Sequence, residues 1–239
     1  MCAAAVQPAD FPRRSFHYRT LVAAGARFAE VGGAAVAEDF GAPDAEAQTA
    51  RRMGLADLSP LARTGFKGEG TAPWLSAQGL AVPEQSNRAL RQSDGELALR
   101  LAPGEVMVLG DVLGQSPLPA RLTEAWHAEP VPPKTPRGFP LPRAETHAWF
   151  LATGACAAAM FAKLCGVDLR PQSFPDLQIA QTSLAKMSGI MVRDDRAGVL
   201  AYHVLADSAS AAYLWSCLID AMDEFDGGPV GLSAIRSLG

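Results

Sequence analysis

The sequence lacks paired-cysteine chemistry. Its four cysteines, Cys2, Cys156, Cys165 and Cys217, form no CxxC, and none stands at zinc-ligand spacing from a histidine. The usual zinc frameworks are thereby excluded, and no metal site is expected. The last three cysteines fall in apolar stretches, where a free thiol packs as a small hydrophobe. Histidines are equally sparse: none of His17, His127, His147 and His203 lies four residues from another histidine or cysteine. There is no GxSxG elbow, and no serine or cysteine close to a histidine marks an activated nucleophile. Neither GxGxxG nor GxxxxGK[ST] occurs, and Gly68-Glu-Gly70-Thr71 lacks the third glycine and reads as a turn. No apolar run is long enough for a signal core or a membrane span. Buried thiols without a leader point to a cytoplasmic protein.

Charge is also scarce. Charged residues make up 19% of the chain, below the average of about 25%, so part of the surface is expected to be apolar or covered by a partner. The net charge of −4 argues against nucleic acid or an anionic membrane as the main partner, since both require a basic footprint. The pairs Arg13-Arg14 and Arg51-Arg52 are short, separated, and read as solvated. A hydrophobic content of 49%, much of it alanine, is enough for a core in 239 residues, as one large domain or two small ones.

Residues 1–26 read as a loose N-terminal segment. Gly32-Gly33 between two short apolar runs predicts a hairpin over residues 27–40. A helix follows over residues 43–53, with Pro43 in its first turn, Asp44 and Glu46 at its positive end, Arg51 and Arg52 at its negative end, and Gly54 as the stop. Residues 55–66 have strand character with a bend at Pro60, and 71–78 read as a helix. Residues 96–101 and 106–109 pair around Pro103-Gly104, and 117–126 form another helix. The proline-dense stretch 129–142 is an extended linker or surface strap. It separates a first half (27–128) from a second (143–239). In the second half, 147–153 is a strand, 155–165 a helix, 181–192 and 199–205 two strands, and 208–225 a helix capped by Asp207 or Ser208. Leu214, Leu218, Ala221, Met222 and Phe225 form its buried stripe. Each half thus reads strand, helix, strand, strand, helix. The expected class is α+β, with two related α/β halves built on antiparallel sheets.

Few residues stand out as chemistry. His147 alternates with Trp149 on one strand face, which places the imidazole either beside an aromatic pocket wall or within a sheet; His203 is judged the same way. Cys165-Gly-Val-Asp168-Leu-Arg170 ends a helix, with Gly166 as left-handed cap, and projects Asp168 and Arg170 from a loop. That loop either grips an anion or partner carboxylate through Arg170 or is fixed by a local Asp–Arg pair. Gln181 to Lys186 presents a polar row to solvent or to a partner. Asp220, Asp223, Glu224 and Asp226 oppose the dipole at the end of the last helix, either as solvated acids or facing a basic surface.

Lys163-Leu-Cys-Gly-Val-Asp-Leu-Arg-Pro171 and Ala180-Gln-Thr-Ser-Leu-Ala-Lys186 resemble the gamma subunit of heterotetrameric sarcosine oxidase, as do Asp207-Ser-Ala-Ser-Ala-Ala-Tyr-Leu-Trp215 and Glu224-Phe-Asp-Gly-Gly-Pro229. The small subunit of N-methylglutamate dehydrogenase is similar. Asp57-Leu-Ser-Pro-Leu-Ala-Arg-Thr-Gly-Phe66 resembles the opening strand of glycine-cleavage aminomethyltransferases. The resemblance implies a folate-binding, aminomethyltransferase-like fold. It also implies larger partner subunits that carry FAD, FMN, NAD and tetrahydrofolate and oxidatively demethylate an N-methyl amino acid. The present chain would bind no cofactor and carry no catalytic residue. Aminomethyltransferases have paired aspartates on a glycine-rich strand; here Ser93-Asp94-Gly-Glu keeps only Asp94 as a weak cofactor-binding candidate, and the pair is absent. The alternative is a stand-alone tetrahydrofolate-dependent aminomethyltransferase or one-carbon transferase with Asp94 as its acid or base. Asp168, Arg170, Gln181 and Lys186 are the candidates for partner contacts.

Overall fold

The computed structural model describes residues 5–130 and 135–238. In chain order the first elements are β1 (Arg13–Arg14), α1 (Tyr18–Ala23), β2 (Arg27–Val31), β3 (Ala34–Asp39), α2 (Pro43–Met53) and β4 (Gly54–Asp57). Next come β5 (Arg63–Lys67), α3 (Thr71–Ala77), β6 (Arg88–Arg91), β7 (Leu97–Ala102), β8 (Glu105–Leu109), α4 (Leu118–Ala128) and β9 (Phe139–Leu141). The remainder comprises α5 (Arg143–Thr146), β10 (His147–Thr153), α6 (Ala157–Phe161), β11 (Ile179–Leu184), β12 (Met187–Arg193), β13 (Ala201–Asp207), α7 (Ala211–Met222), β14 (Gly228–Pro229) and α8 (Leu232–Arg236).

Two topologically equivalent units emerge. β5-α3-β6-β7-β8-α4 forms a sheet in the order β6-β7-β8-β5, and β10-α6-β11-β12-β13-α7 repeats it as β11-β12-β13-β10. All these pairings are antiparallel, and each sheet gains a further antiparallel strand beside its first, β9 on β5 and β4 on β10. The sheets meet at equivalent strands, where Ala89 N–H bonds Leu177 O and Ile179 N–H bonds Asn87 O.

Alternation along the strands creates the layers. Leu97, Leu99, Leu101, Met107 and Leu109 of one sheet and Trp149, Leu151 and Leu205 of the other share a core between the sheets. The intervening residues face outward. Ala98, Val106 and Val108 pack on Trp74, Leu75, Leu118 and Leu122 of α3 and α4. Phe150, Ala152, Tyr202 and Val204 pack on α6 and on Leu214, Trp215 and Leu218 of α7. Helix, sheet, sheet and helix thus stack in four layers, and each fully buried leucine or phenylalanine contributes about 1.5–3 kcal/mol.

Several sequence expectations change. Each unit has one strand more than expected. Residues 181–192 are not one strand but the hairpin β11–β12, turned at Ala185 and Lys186, both left-handed with φ of 49° and 66°. Such a two-residue turn normally carries Asn-Gly, so no turn signal was present. Gly32 and Gly33 supply the expected positive φ in the β2–β3 hairpin. The helix over 155–165 shortens to α6, and Gly166 is not left-handed. Gly54 stops no helix by left-handed capping: its φ is −109°, the chain enters β4 directly, and a Cβ there would lie 2.8 Å from Ala50 Cα. Residues 55–66 divide between β4 and β5, in different sheets.

Residues 5–26 are packed rather than loose: β1 pairs with β3, Val6 bridges Phe28, and His17 and Leu21 are buried. In the proline-rich stretch, residues 131–134 lie outside the described residues, as do 1–4 at the N-terminus with Cys2. The strap continues as β9 at the edge of the five-stranded sheet. Asp207 caps the segment leading into α7 by accepting Ala209 N–H at 2.8 Å. Glu46, in the first turn of α2, accepts Phe40 and Ala42 N–H on one oxygen and Gly231 N–H on the other, tying α2 to the start of α8.

Candidate functional site

A cavity of about 590 Å³ opens at one end of the inter-sheet layer, within the range of small-molecule sites. Leu101 and Glu105 from the β7–β8 hairpin form one wall, and Arg143, Thr146 and His147 a second. Gln181, Thr182, Ser188, Gly189, Ile190 and Asp207 complete it from the six-stranded sheet. His147 and Asp207 are directly opposed partners across β10 and β13. The cavity is therefore the polar continuation of the core that holds Trp149 and Leu205.

Glu105 and Arg143 are engaged with their neighbours. Arg143 donates from Nη2 to Glu105 Oε1, and Lys67 Nζ lies 2.8 Å from Glu105 Oε2. Burial works against ionisation of Glu105, but the Lys67 hydrogen bond and the Arg143 charge outweigh it and hold the carboxyl below its usual range. Arg143 Nη1 is 3.3 Å from His147 Nε2, and Thr146 Oγ1 is 2.8 Å from His147 Nδ1. The guanidinium can only donate, so Nε2 accepts and Nδ1 carries the proton. Burial, followed by the Arg143 and Arg63 charges, lowers this imidazole to about 4. At neutral pH it is uncharged, with both nitrogens occupied. Gln181 bridges the sheets, donating from Nε2 to Asn87 Oδ1 at 2.8 Å and to Leu101 O at 2.7 Å.

Arg63 fixes the adjoining wall. It is 4% exposed, and its five N–H donors meet five carbonyls: Ser59, Leu61, Arg143, Ala144 and His147. Burial lowers it to about 10 against the attraction of Asp57 and Glu145, so it is charged at neutral pH. Asp57 accepts Ser59 N–H at 2.8 Å, so the chain between β4 and β5 is a locked turn rather than a continuous strand.

A second array resembles a charge relay. Trp149 Nε1–H donates to His203 Nδ1 at 2.9 Å, which leaves Nε2–H facing Asp194 Oδ2 at 3.1 Å. Asp194 also pairs with Arg91 and Arg196. Burial keeps His203 neutral. It opposes ionisation of Asp194 as well, but there the His203 hydrogen bond and the two arginines prevail. With both ring nitrogens bonded inside the core, no lone pair remains to activate a nucleophile. This is a structural clasp, joining β6 to the six-stranded sheet through Arg91.

Among the residues singled out from sequence, His147 and Gln181 line the cavity. Asp94 sits exposed in the β6–β7 turn beside a cleft of about 150 Å³. Asp168 and Arg170 form an exposed bidentate pair with Ser173 closing the loop, the local alternative of the two weighed for them. Lys186 is exposed in the β11–β12 turn. Glu224 and Asp226 are paired with Lys163 and Arg52, so a partner's basic surface is not needed to offset them. Glu105 and Arg143 were missed, since nothing local sets either apart; the alternation of His147 with Trp149 was the one available pointer. Among the described residues no three metal-ligating side chains gather, and no helix is long and apolar enough to cross a membrane.

No protein-family model matches the sequence, and no curated protein matches it. Solved structures do. A chain of the heterotetrameric sarcosine oxidase from Corynebacterium sp. U-96, in complex with pyrrole 2-carboxylate, aligns with a TM-score of 0.61 at 22% identity, over 79% of this chain and 95% of that one. The glycine cleavage system aminomethyltransferase T from Bartonella henselae aligns with a TM-score of 0.68 at 17% identity, over 92% of this chain and 60% of that one. The protein has the aminomethyltransferase-like α+β fold, and it spans only part of the length of that transferase.

Proposed function

We propose that this chain is a gamma-type accessory subunit of a heterotetrameric, sarcosine-oxidase-like flavoenzyme that oxidatively demethylates an N-methyl amino acid. The observation that carries this reading is its near end-to-end span of a sarcosine oxidase chain, 95%, against 60% of a free-standing aminomethyltransferase. The likeness is to a whole subunit and to only part of the transferase. The chain supports the large folate-binding subunit and performs no chemistry itself. FAD, FMN, NAD and tetrahydrofolate are assigned to the partner subunits, and the site of action to the cytoplasm.

The chemistry of the cavity supports the same reading. One-carbon transfer requires an acid or base free to exchange a proton with the bound folate. Here Glu105 is paired with Arg143 and Lys67, and His147 has both nitrogens occupied. The residues present do not fit a folate-dependent reaction, and Asp94 lies outside the cavity lining. Titration calorimetry of the isolated chain with tetrahydrofolate tests this. No saturable heat is expected. Saturable binding abolished by Asp94→Ala would favour the stand-alone one-carbon transferase instead.

A further inference from the structure

Residues 5–24 hold to the rest of the molecule by little backbone. The two residues of β1 pair with Ala34 and Ala35 of β3, and Val6 bridges Phe28. Side chains supply most of the remaining grip. Arg13 donates to Pro60 O at 3.1 Å, and Leu21 packs in the core under the six-stranded sheet. The anchor that stands out is ionisable. His17, immediately before α1, sets its imidazole edge-on to Phe150 of β10 at 5.4 Å and tilted on Trp215 of α7 at 4.9 Å. Asp57 of β4 lies directly opposite Phe150 across the ladder, so its carboxylate enters the same face of the sheet.

This histidine and this aspartate are incompletely satisfied. Their side chains are each 1% exposed, with His17 Nδ1 3.9 Å from Asp57 Oδ2. Nδ1 is also 3.2 Å from Ser15 Oγ. Neither His17 Nε2 nor Asp57 Oδ2 has a hydrogen-bond partner among the described residues. The carboxylate beside Nδ1 favours the tautomer with its proton there, which leaves Nε2 a bare lone pair. Protonation makes Nε2 a second donor, with no acceptor, on a ring that has gained a charge; both changes are unfavourable in an apolar core. Asp57 is the one charged group that acts on the ring; the side chains that β10 and α7 place against it are aromatic. Asp57 also attracts the Arg63 guanidinium, which lessens what it offers an imidazolium. Burial outweighs Asp57 and holds His17 below its ordinary range, so the ring is neutral at neutral pH.

We propose that His17 is a proton-operated latch, which holds residues 5–24 on the core while neutral and releases them, uncovering Phe150 and Trp215, when it takes up a proton. The opening is local because the segment contributes no strand to the five- or six-stranded sheet: β1 leaves, and β2 stays paired with β3. The sign follows from linkage. In the released segment the imidazole titrates at about 6.5, above its value when docked. Docking is therefore at full strength above that pH and weakens as pH falls below it, because the released form binds the proton that the docked form refuses.

Hydrogen exchange of the full chain, read by mass spectrometry at about pH 7.5 and about pH 5 with intrinsic rates corrected, tests the latch. Amides of residues 17–24 should lose at least about tenfold in protection on acidification, beyond any loss in β10 and β13. His17→Phe keeps an apolar ring and should abolish that excess loss. His147→Gln should leave it intact, which separates the latch from the cavity imidazole. Should His17→Phe not fold, NMR titration of the wild-type imidazoles still decides the matter, since the His17 ring must take up its proton over the same pH range in which protection falls. Unchanged protection, protection gained in acid through an imidazolium held by Asp57 and Trp215, an equal loss throughout β10 and β13, or the same acid response in His17→Phe would overturn the proposal.

Discussion

Replacing Arg63 by lysine keeps a positive charge in the molecule but removes the fork. The guanidinium meets five carbonyls drawn from the 59–61 turn, from α5 and from the first residue of β10. An ammonium has three donors, so at least two buried carbonyls lose their partner. Each unmade buried hydrogen bond costs about 1–3 kcal/mol. Allowing for water reaching some of the freed carbonyls, Arg63→Lys should lose about 3–5 kcal/mol. For a chain of this length that is a fall of roughly 10 °C in Tm. Urea unfolding followed in parallel by tryptophan fluorescence and circular dichroism gives the free energy and checks that one transition is being observed. A loss under about 1 kcal/mol would mean that the turn and α5 hold themselves. The pre-formed cavity wall would then have to be abandoned.

His147 makes a pH prediction. Its folded value of about 4 lies below the unfolded value of about 6.5. Between them the unfolded chain binds a proton that the folded chain refuses, so stability falls as pH drops from about 6.5 towards 4. The ring is partly solvated, which reduces an offset of about 3 kcal/mol to about 1–2. Denaturation across that window should show this slope in the wild type and a shallower one in His147→Gln; parallel slopes would contradict the assignment. Lys186→Gly should raise stability by about 0.5–1 kcal/mol by relieving a left-handed lysine, and an unchanged urea midpoint would show that the turn is unstrained. Asp194→Asn leaves Arg91, Arg196 and His203 without their shared anion and should cost about 3–5 kcal/mol. A near-neutral thermal melt would mean that the clasp between the sheets is dispensable.

The sequence showed its elements where local rules suffice. Gly32-Gly33 marked a hairpin, Pro43 through Arg52 marked a helix at both ends, and the stripe from Leu214 to Met222 marked the buried face of α7. It hid elements whose cause is tertiary. Arg88 to Arg91 buries only Ala89, and the strand is fixed by its ladder to β7 and by hydrogen bonds with residues 177–179. Ala185-Lys186 turns without a turn residue because β12 is held by β13 and β11 is zipped onto β12 from Ile179 to Leu184. The cavity is assembled from four separated stretches, and its central ion pair joins residues 38 positions apart. Gln181 was noticed as part of a polar row, but its bond to Leu101 O spans 80 positions and belongs to the fold alone.

The most direct test is the mass, by light scattering, of the particle formed when this chain is co-expressed with a candidate folate-binding flavoprotein. Co-elution in fixed stoichiometry, with demethylation of an N-methyl amino acid present in the assembly and absent from the isolated chain, is the predicted result. A chain that elutes alone beside its flavoprotein, or that turns over a methylated amine by itself, contradicts the account.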